Sequence, residues 1–252
     1  MNTRNEANLL KKTFVLVFML AFLFPFFFTK NIEAYGFGYK KNDNHEIPDI
    51  GIYKDIIEKN NGHYIGDPNK IYLTFDVGYD NGYLDYYLDV LKQEKVTATF
   101  FVTGDFCKRF EDKLMNIYKD GHLICNHSYS HSNITKMSEN QIYDDLKKLE
   151  TLYYDKIGSK MTKIFRPPEG QFDEKSMEIL KKLGYKTIFW SIAHVDWKQN
   201  NNDAFKNVLK NLHGGAIILL HTVNKNNYEC LSNIINEIRN QGYEFSTVDK
   251  IM

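Results

Sequence analysis

Two histidines, His127 and His131, stand four residues apart, directly after an apolar run that ends at residue 126. Side chains at positions i and i+4 lie on one face of a helix, so a helical turn over residues 127–131 would bring both imidazoles to one divalent ion. A pair at this spacing also occurs by chance on solvated helices. The metal interpretation therefore depends on which other residues accompany the pair.

Four further polar residues could complete a catalytic site: Asp76, Arg166, Asp196 and His221. Each of them follows or ends a run of residues that favours a β-strand. Ligands of parallel α/β folds bind at the carboxyl ends of the strands, so the sequence predicts that these side chains converge with the histidine pair. A carboxylate and an imidazole in one cleft are suited to general acid–base chemistry.

Three of these four residues also have a structural interpretation. Asp76 lies in an Asp-x-Gly turn signal, Arg166 could form a surface salt bridge, and His221 could be a core histidine. Pro167 and Pro168 hold the chain extended directly after Arg166. That rigid base favours a guanidinium presented for a bidentate contact with a carboxylate.

Strands and helices that must position the site alternate regularly along the chain. Ser138 with Gln141 is typical of a capping box, and Asp173 is typical of a helix N-cap. Alternation of this kind predicts parallel β-α units, and hence an α/β fold with a single barrel-like domain of about seven parallel strands. The predicted strands cover residues 71–75, 97–103, 122–126, 163–166, 186–192, 216–221 and 243–247, and the predicted helices cover residues 52–59, 81–94, 105–119, 139–156, 173–183, 203–212 and 227–240.

The first 34 residues predict export. Lys11 and Lys12 precede an apolar run over residues 13–28, and Ala34 is a small residue at a plausible cleavage point. We interpret residues 1–34 as a signal peptide, with a membrane anchor as the alternative. Residues 35–69 form a lead-in segment, in which a turn at 66–69 predicts a hairpin between residues 63–65 and 71–75.

Composition limits the partners that the chain could bind. The 32 basic and 32 acidic residues balance, so no basic face for nucleic acid is indicated, and neutral partners such as glycans remain open. We expect membrane contact only through the N-terminal segment, and a monomer. Cys107, Cys125 and Cys230 lack metal-binding spacing and predict packing roles, although one disulfide remains open.

Read together, five motifs over about residues 70–250 resemble the polysaccharide deacetylase family, the carbohydrate esterases with a NodB-homology domain. They occur in family order. The motifs are Thr-Phe-Asp-x-Gly at 74–78, His-Ser-x-x-His at 127–131, Arg-Pro-Pro-x-Gly at 166–170, Asp-Trp at 196–197 and Leu-Leu-His at 219–221. The resemblance implies a distorted (β/α) barrel over residues 70–252 that removes N-acetyl groups from amino sugars with one divalent metal ion, for which we expect zinc.

The resemblance also implies a role for each matching residue. Asp76 would be the general base, oriented by Arg166, and His221 the general acid, held by Asp196. The metal ligands would be His127 and His131. A backbone N–H near Tyr79 would stabilise the oxyanion, and the residues expected to contact substrate are Tyr79, Pro168, Gly170, Trp197 and Leu219.

One departure from the family pattern bears on the metal. Val77 stands where the family usually has an aspartate ligand, and a valine cannot bind metal. The same departure, with the Arg-Pro-Pro-Glu-Gly and Ala-x-Val-Asp-Trp variants, resembles the delta-lactam-biosynthetic branch, which deacetylates N-acetylmuramic acid in spore peptidoglycan. We therefore expect peptidoglycan glycan strands as substrate. An N-acetylglucosamine deacetylase and a non-catalytic glycan-binding pseudoenzyme are the alternatives.

Overall fold

A parallel β-sheet curled into a half-barrel, with helices around it, forms the centre of the molecule. The computed structural model describes residues 35–36, 45–194, 196 and 204–252, with only the backbone described at 35–36. The strands are β1 Tyr35–Gly36, β2 Gly62–His63, β3 Lys70–Val77, β4 Thr99–Val102, β5 Leu123–Asn126, β6 Ile164–Phe165, β7 Gln171–Phe172, β8 Lys186–Ile188, β9 Ile192–Ala193, β10 Ile217–His221 and β11 Glu244–Ser246. The helices are α1 Tyr53–Lys59, α2 Leu84–Gln93, α3 Gly104–Arg109, α4 Glu111–Lys119, α5 Glu139–Ile157, α6 Glu174–Lys182, α7 Ala204–Asn211 and α8 Lys225–Asn240.

Strand order confirms the predicted α/β fold and distorted barrel. The main sheet runs β2-β8-β6-β5-β4-β3-β10-β9, with β11 paired to the start of β3, and every pair in it is parallel. A separate two-stranded antiparallel sheet joins β1 and β7. Residues from Ala34 onward form one compact unit, in agreement with a single domain.

Side chains of β3 alternate strictly between the two faces of the sheet. Ile71, Leu73, Phe75 and Val77 belong to the hydrophobic cluster between sheet and helices. Tyr72 belongs to the other cluster, on the inner face that also carries Phe101 of β4 and Leu219 of β10. Successive residues of a strand point to opposite faces, so Asp76 shares the inner face with Tyr72.

The predicted hairpin at residues 63–65 and 71–75 is wrong. His63 of β2 pairs in parallel with Ile188 of β8, and Ile65 bridges Ala216. The Gly66 N–H donates to the carbonyl of Gly215 over 2.8 Å, and Tyr72 packs so closely on Gly66 that a side chain there would collide with its ring. The lead-in segment therefore crosses toward residues 215–216 instead of folding back on β3.

Two predicted elements are divided in the structure. The helix expected over residues 105–119 breaks at Phe110, whose φ of −127° and ψ of 53° are not helical. The strand expected over residues 186–192 becomes β8 and β9, because the carbonyls of Ile188 and Phe189 accept hydrogen bonds from the Arg166 side chain at the break.

Several local predictions are confirmed. Ser138 and Gln141 form a capping box at the start of α5, and Asp173 caps α6. The three cysteines are free, two of them buried. The predicted signal peptide or anchor at residues 1–34 lies outside the described residues. Over the residues that are described, no helix is long and apolar enough to span a membrane.

Candidate active site

Asp76 and Arg166 form a buried ion pair. Arg166 Nη1 donates to Asp76 Oδ1 over 2.8 Å, and the side chains of Arg166 and Asp76 are 0% and 9% exposed. Burial alone would raise the pKa of Asp76, but Arg166, His127 and His221 outweigh it and hold the pKa below 3.8. Asp76 is therefore a carboxylate at neutral pH and can accept a proton.

The rest of the Arg166 side chain is tied to backbone and aromatic groups. Its Nε donates to the carbonyl of Ile188 over 3.2 Å, and its Nη2 donates to the carbonyl of Phe189 over 3.1 Å. The guanidinium carbon lies 4.1 Å from the ring centroid of Phe101. The alternative of a surface salt bridge for Arg166 is wrong, since the side chain is part of the interior.

His127 faces the same carboxylate. Its Nδ1 lies 2.9 Å from the backbone carbonyl of Arg166, which can only accept, so Nδ1 carries the proton. Nε2 then presents a lone pair, 3.5 Å from Asp76 Oδ2. Burial lowers the pKa of His127 to about 4. The ring is therefore neutral at neutral pH, which is the state that a metal ligand requires.

His131 reaches His127 by a different route from the predicted helical turn. Residues 127–131 are not helical, and Ser128 and His131 have positive φ values of 70° and 53°. The two imidazole rings nevertheless lie with their centroids 5.0 Å apart. The loop conformation, and not i, i+4 helical geometry, brings the pair together.

Asp145, on α5, holds this loop and was not found from the sequence. Its Oδ2 accepts from Ser128 Oγ over 2.7 Å and from the Tyr129 N–H over 2.9 Å, and its Oδ1 accepts from the Ser130 N–H over 3.0 Å. Ser128 Oγ in turn accepts from the His131 N–H over 2.9 Å. A sequence signal existed, because an acid between Ile142, Leu146 and Leu149 interrupts the apolar face of a helix.

His221 and Asp196 form a second charged pair. His221 Nδ1 lies 2.7 Å from Asp196 Oδ1, and the His221 backbone N–H donates to Asp196 Oδ2 over 2.7 Å. Burial alone would lower the pKa of His221, but the bond and charge of Asp196, with Asp76, raise it above 6.5. The core-histidine alternative for His221 is wrong, since its side chain is 24% exposed and its ring bonds a carboxylate.

Two asparagines behind this pair were also missed. Asn227 Nδ2 donates to Asp196 Oδ2 over 2.8 Å, and Asn224 Nδ2 donates to the Asp196 carbonyl over 3.1 Å. Both lie at the start of α8, shortly after His221. Nothing in their sequence pattern marks them, because Asn-rich stretches recur throughout the chain.

The predicted substrate contacts lie in different settings. Tyr79 is 50% exposed, whereas Leu219 and Pro168 are buried. Gly170 is buried with a φ of 65°, a left-handed conformation that favours glycine. Trp197 lies outside the described residues.

Val77 turns away from the site. Its side chain is 1% exposed within the cluster between sheet and helices, on the face opposite Asp76. The chain therefore draws no metal ligand from this position.

Comparison with known proteins shows the family. The model for polysaccharide deacetylases matches residues 63–188. The peptidoglycan-N-acetylmuramic acid deacetylase PdaA of Bacillus subtilis is 42% identical over 227 residues, which are 87% of this chain and 86% of that protein. The chain belongs to the polysaccharide deacetylase family.

Related structures and sequences agree with this assignment. The structure of Bacillus subtilis PdaA, described as a family 4 carbohydrate esterase, matches with a TM-score of 0.83 over 87% of this chain and 97% of that chain. A peptidoglycan-N-acetylglucosamine deacetylase of Bacillus cereus is 32% identical over 76% of this chain and 72% of its own length. A family 4 pseudoenzyme from Bacillus anthracis is 31% identical, with a TM-score of 0.70 over 75% of this chain and 68% of its own.

Family 4 deacetylases depend on a metal ion, and this chain has two histidine side chains that could bind one. Within the described ranges, no group of three or more histidine, cysteine, aspartate or glutamate side chains forms a metal site. His127 and His131 are a pair, and His127 has the neutral ring and the Nδ1–H bond to a carbonyl that metal-bound histidines show. The pair would hold the ion, and water or substrate would complete its shell.

Replacing Asp145 with alanine tests the loop that carries the histidines. Because the three hydrogen bonds to Asp145 orient Ser128 and, through it, His131, we expect Asp145→Ala to weaken zinc binding by about 10- to 100-fold. Calorimetric titration of the folded protein with zinc measures this. Asp144→Ala, at the exposed neighbouring position, is the matched control and should bind zinc as the parent does. Equal affinity in all three proteins would contradict the role of Asp145.

Proposed function

We propose that this member of the family removes the N-acetyl group from N-acetylmuramic acid residues of peptidoglycan, on the route to muramic delta-lactam in the spore cortex. The observation that carries the proposal is the pair of acid–base groups, Asp76 bound to Arg166 and His221 bound to Asp196, beside two histidines. Similarity to PdaA over most of both chains supports muramic acid as the substrate residue.

Hydrolysis of the amide requires a base for water and an acid for the amine. A zinc ion held by His127 and His131 would supply Lewis acidity toward the acetyl carbonyl and its bound water. Asp76, ionised and held by Arg166, takes the proton from the attacking water. A backbone N–H near Tyr79 donates to the oxyanion that develops on the acetyl carbonyl.

His221 completes the reaction as the general acid. The bond and charge of Asp196 raise the pKa of His221 and so favour the protonated ring, and Asp196 orients the ring through Nδ1. Nε2 is then the atom that delivers a proton to the leaving amine, so the C–N bond breaks without expelling an amide anion.

Two alternatives are separated by experiment. Relatives named peptidoglycan-N-acetylglucosamine deacetylases share about a third of their residues with this chain, so glucosamine is the second candidate substrate residue. A non-catalytic glycan-binding protein is the other, since a pseudoenzyme of the family is 31% identical. The intact Asp76–Arg166 and His221–Asp196 pairs favour the enzyme.

Acetate release is the direct test of the proposal. We expect the protein to release acetate from peptide-stripped glycan strands with added zinc and not from N-acetylglucosamine oligomers. Asp76→Asn should lower kcat by about 10²-fold or more, because the amide cannot accept the water proton. Circular dichroism and zinc titration of the variant serve as controls for fold and metal. Activity of Asp76→Asn within a few-fold of the parent would contradict the role of Asp76. Release of acetate only from N-acetylglucosamine oligomers would mean that N-acetylglucosamine, and not N-acetylmuramic acid, is the substrate residue.

The pH profile tests the His221–Asp196 pair. Activity should be lost as pH falls through about 4, where His127 gains a proton, and as pH rises through the His221 pKa, which lies above 6.5. Asp196→Asn removes the carboxylate that raises this pKa most, so the alkaline limb of kcat/KM should move to lower pH. Asp144→Asn is the surface control. An alkaline limb at the same pH in parent and Asp196→Asn would assign it to another group.

We further propose that the protein is exported across the bacterial cytoplasmic membrane and acts as a monomer on wall or spore glycan strands. Lys11, Lys12, the apolar run and Ala34 support export, as does the cell-wall substrate of the relatives. N-terminal sequencing of the wall fraction should find a chain beginning near Tyr35. A chain beginning at Met1 in the cytosol would contradict export, and one beginning there in the membrane would favour the anchor.

A further inference from the structure

Three tyrosines form an aromatic surface on the rim that carries the active site. Tyr83 precedes α2 and Tyr86 lies in its first turn, after β3, while Tyr228 lies in the first turn of α8, after β10. The rings of Tyr86 and Tyr228 stack with centroids 4.9 Å apart and an interplanar angle of 15°, and Tyr83 lies 5.8 Å from Tyr228. We call Tyr83, Tyr86 and Tyr228 the tyrosine platform.

The platform lies at the ends of two loops. One follows β3, which carries Asp76, and the other follows β10, which carries His221. Asp76 and His221 are direct partners in the register of β3 and β10, so the chain leaves both strands at the same level. Asn81 Nδ2 donates to the carbonyl of Val223 over 2.8 Å, which joins the two loops. The platform is therefore held at a set position beside the acid–base groups.

A second connection runs beneath the platform. The Tyr87 ring packs edge-on against Tyr228 at 5.9 Å, and its hydroxyl donates to the carbonyl of Asn224 over 2.8 Å. Asn224 donates to the backbone carbonyl of Asp196 over 3.1 Å. Two hydrogen bonds therefore connect Tyr87, which lies beneath the platform, to Asp196, the partner of His221.

The exposed ring of the platform is that of Tyr86, whereas Tyr83 and Tyr228 are half-buried and pack against the hydrophobic cluster between sheet and helices. The buried face of α2 consists of Leu84, Tyr87, Leu88 and Leu91, whereas Tyr86 is 52% exposed. Water therefore covers much of an aromatic ring next to a site that handles sugar. Tyr79, also half exposed, lies on the loop between Asp76 and the platform.

We propose that the tyrosine platform is a distal glycan subsite, on which an amino-sugar ring of the same strand, outside the residue being deacetylated, stacks its C–H face. The apolar face of a pyranose carries partial positive charge on its hydrogens and is attracted to the electron-rich face of an aromatic ring. Two exposed polar residues lie near the platform in sequence: Asn81, whose Nδ2 bonds the Val223 carbonyl, and Lys225, which pairs with Glu229. This proposal rests on the proposed function, since it requires a polymeric glycan substrate.

Dependence on strand length is the signature of such a subsite. We expect Tyr86→Ala to raise KM by about 3- to 10-fold on long peptide-stripped strands, with kcat unchanged, and to leave KM on a muramic-containing disaccharide unchanged. Tyr86→Phe keeps the aromatic face and should behave as the parent does. Tyr154→Ala is the matched control, because Tyr154 is equally exposed, at 53%, on α5.

Two results would overturn the subsite. One is an unchanged KM of Tyr86→Ala for long glycan strands. The other is an equal rise in KM for long glycan strands and for the disaccharide, which would place the effect in the active site itself. Calorimetric binding of long strands to Asp76→Asn, with and without Tyr86→Ala, separates this proposal from the proposed function. A parent that releases no acetate refutes the function, while a roughly three- to tenfold weaker binding of long glycan strands when Tyr86→Ala is added to Asp76→Asn still supports the platform.

Discussion

The buried ion pair between Arg166 and Asp76 is the interaction on which the rest of the site depends. Removing a guanidinium from water costs several kcal/mol unless its donors find partners. Asp76 and the carbonyls of Ile188 and Phe189 provide them, and the ring of Phe101 covers the guanidinium face. Arg166 therefore joins β3, β6 and the end of β8, and its own carbonyl fixes the tautomer of His127. One residue orients both the proposed base and a proposed metal ligand.

Strand geometry explains why this constellation is built from single residues at strand ends. On β3 the even positions face the half-barrel interior and the odd positions face the helices, so Asp76 reaches the site while Val77 packs into the outer cluster. Parallel pairing then aligns the carboxyl ends, which places Asp76 directly beside His221. A one-residue shift in the register of β3 or β10 would point the side chain of Asp76 or His221 toward the helices instead of toward the site.

Much of this arrangement was predictable because it depends on local pattern and general topology. The alternation of strands and helices, the parallel sheet, and the convergence of Asp76, His127, Arg166 and His221 at strand ends all follow from hydrophobic periodicity. The helical turn at residues 127–131 failed because Asp145, a distant residue, holds Ser128 and His131 in positive-φ conformations.

Tertiary contacts account for the other failures as well. The break after Ile188 exists because its carbonyl bonds Arg166, and the lead-in segment does not form a hairpin with β3 because the Gly66 N–H bonds the carbonyl of Gly215. Asn224 and Asn227 acquire their roles only through the position of Asp196. Each of these contacts joins residues that no local sequence pattern relates. The substrate contact of Trp197 and the signal peptide or anchor at residues 1–34 remain predictions.

The two acid–base groups are kept in opposite charge states by separate partners. Asp76 has Arg166 and its pKa is lowered, while His221 has Asp196 and its pKa is raised. Without Arg166, burial would raise the pKa of Asp76 and favour its protonated form. Without Asp196, burial would lower the pKa of His221 and favour its neutral ring. Because each group has its own partner, the site favours the carboxylate form of Asp76 and the protonated form of His221 together. In the proposed mechanism, Asp76 can therefore begin the reaction as the base and His221 can finish it as the acid.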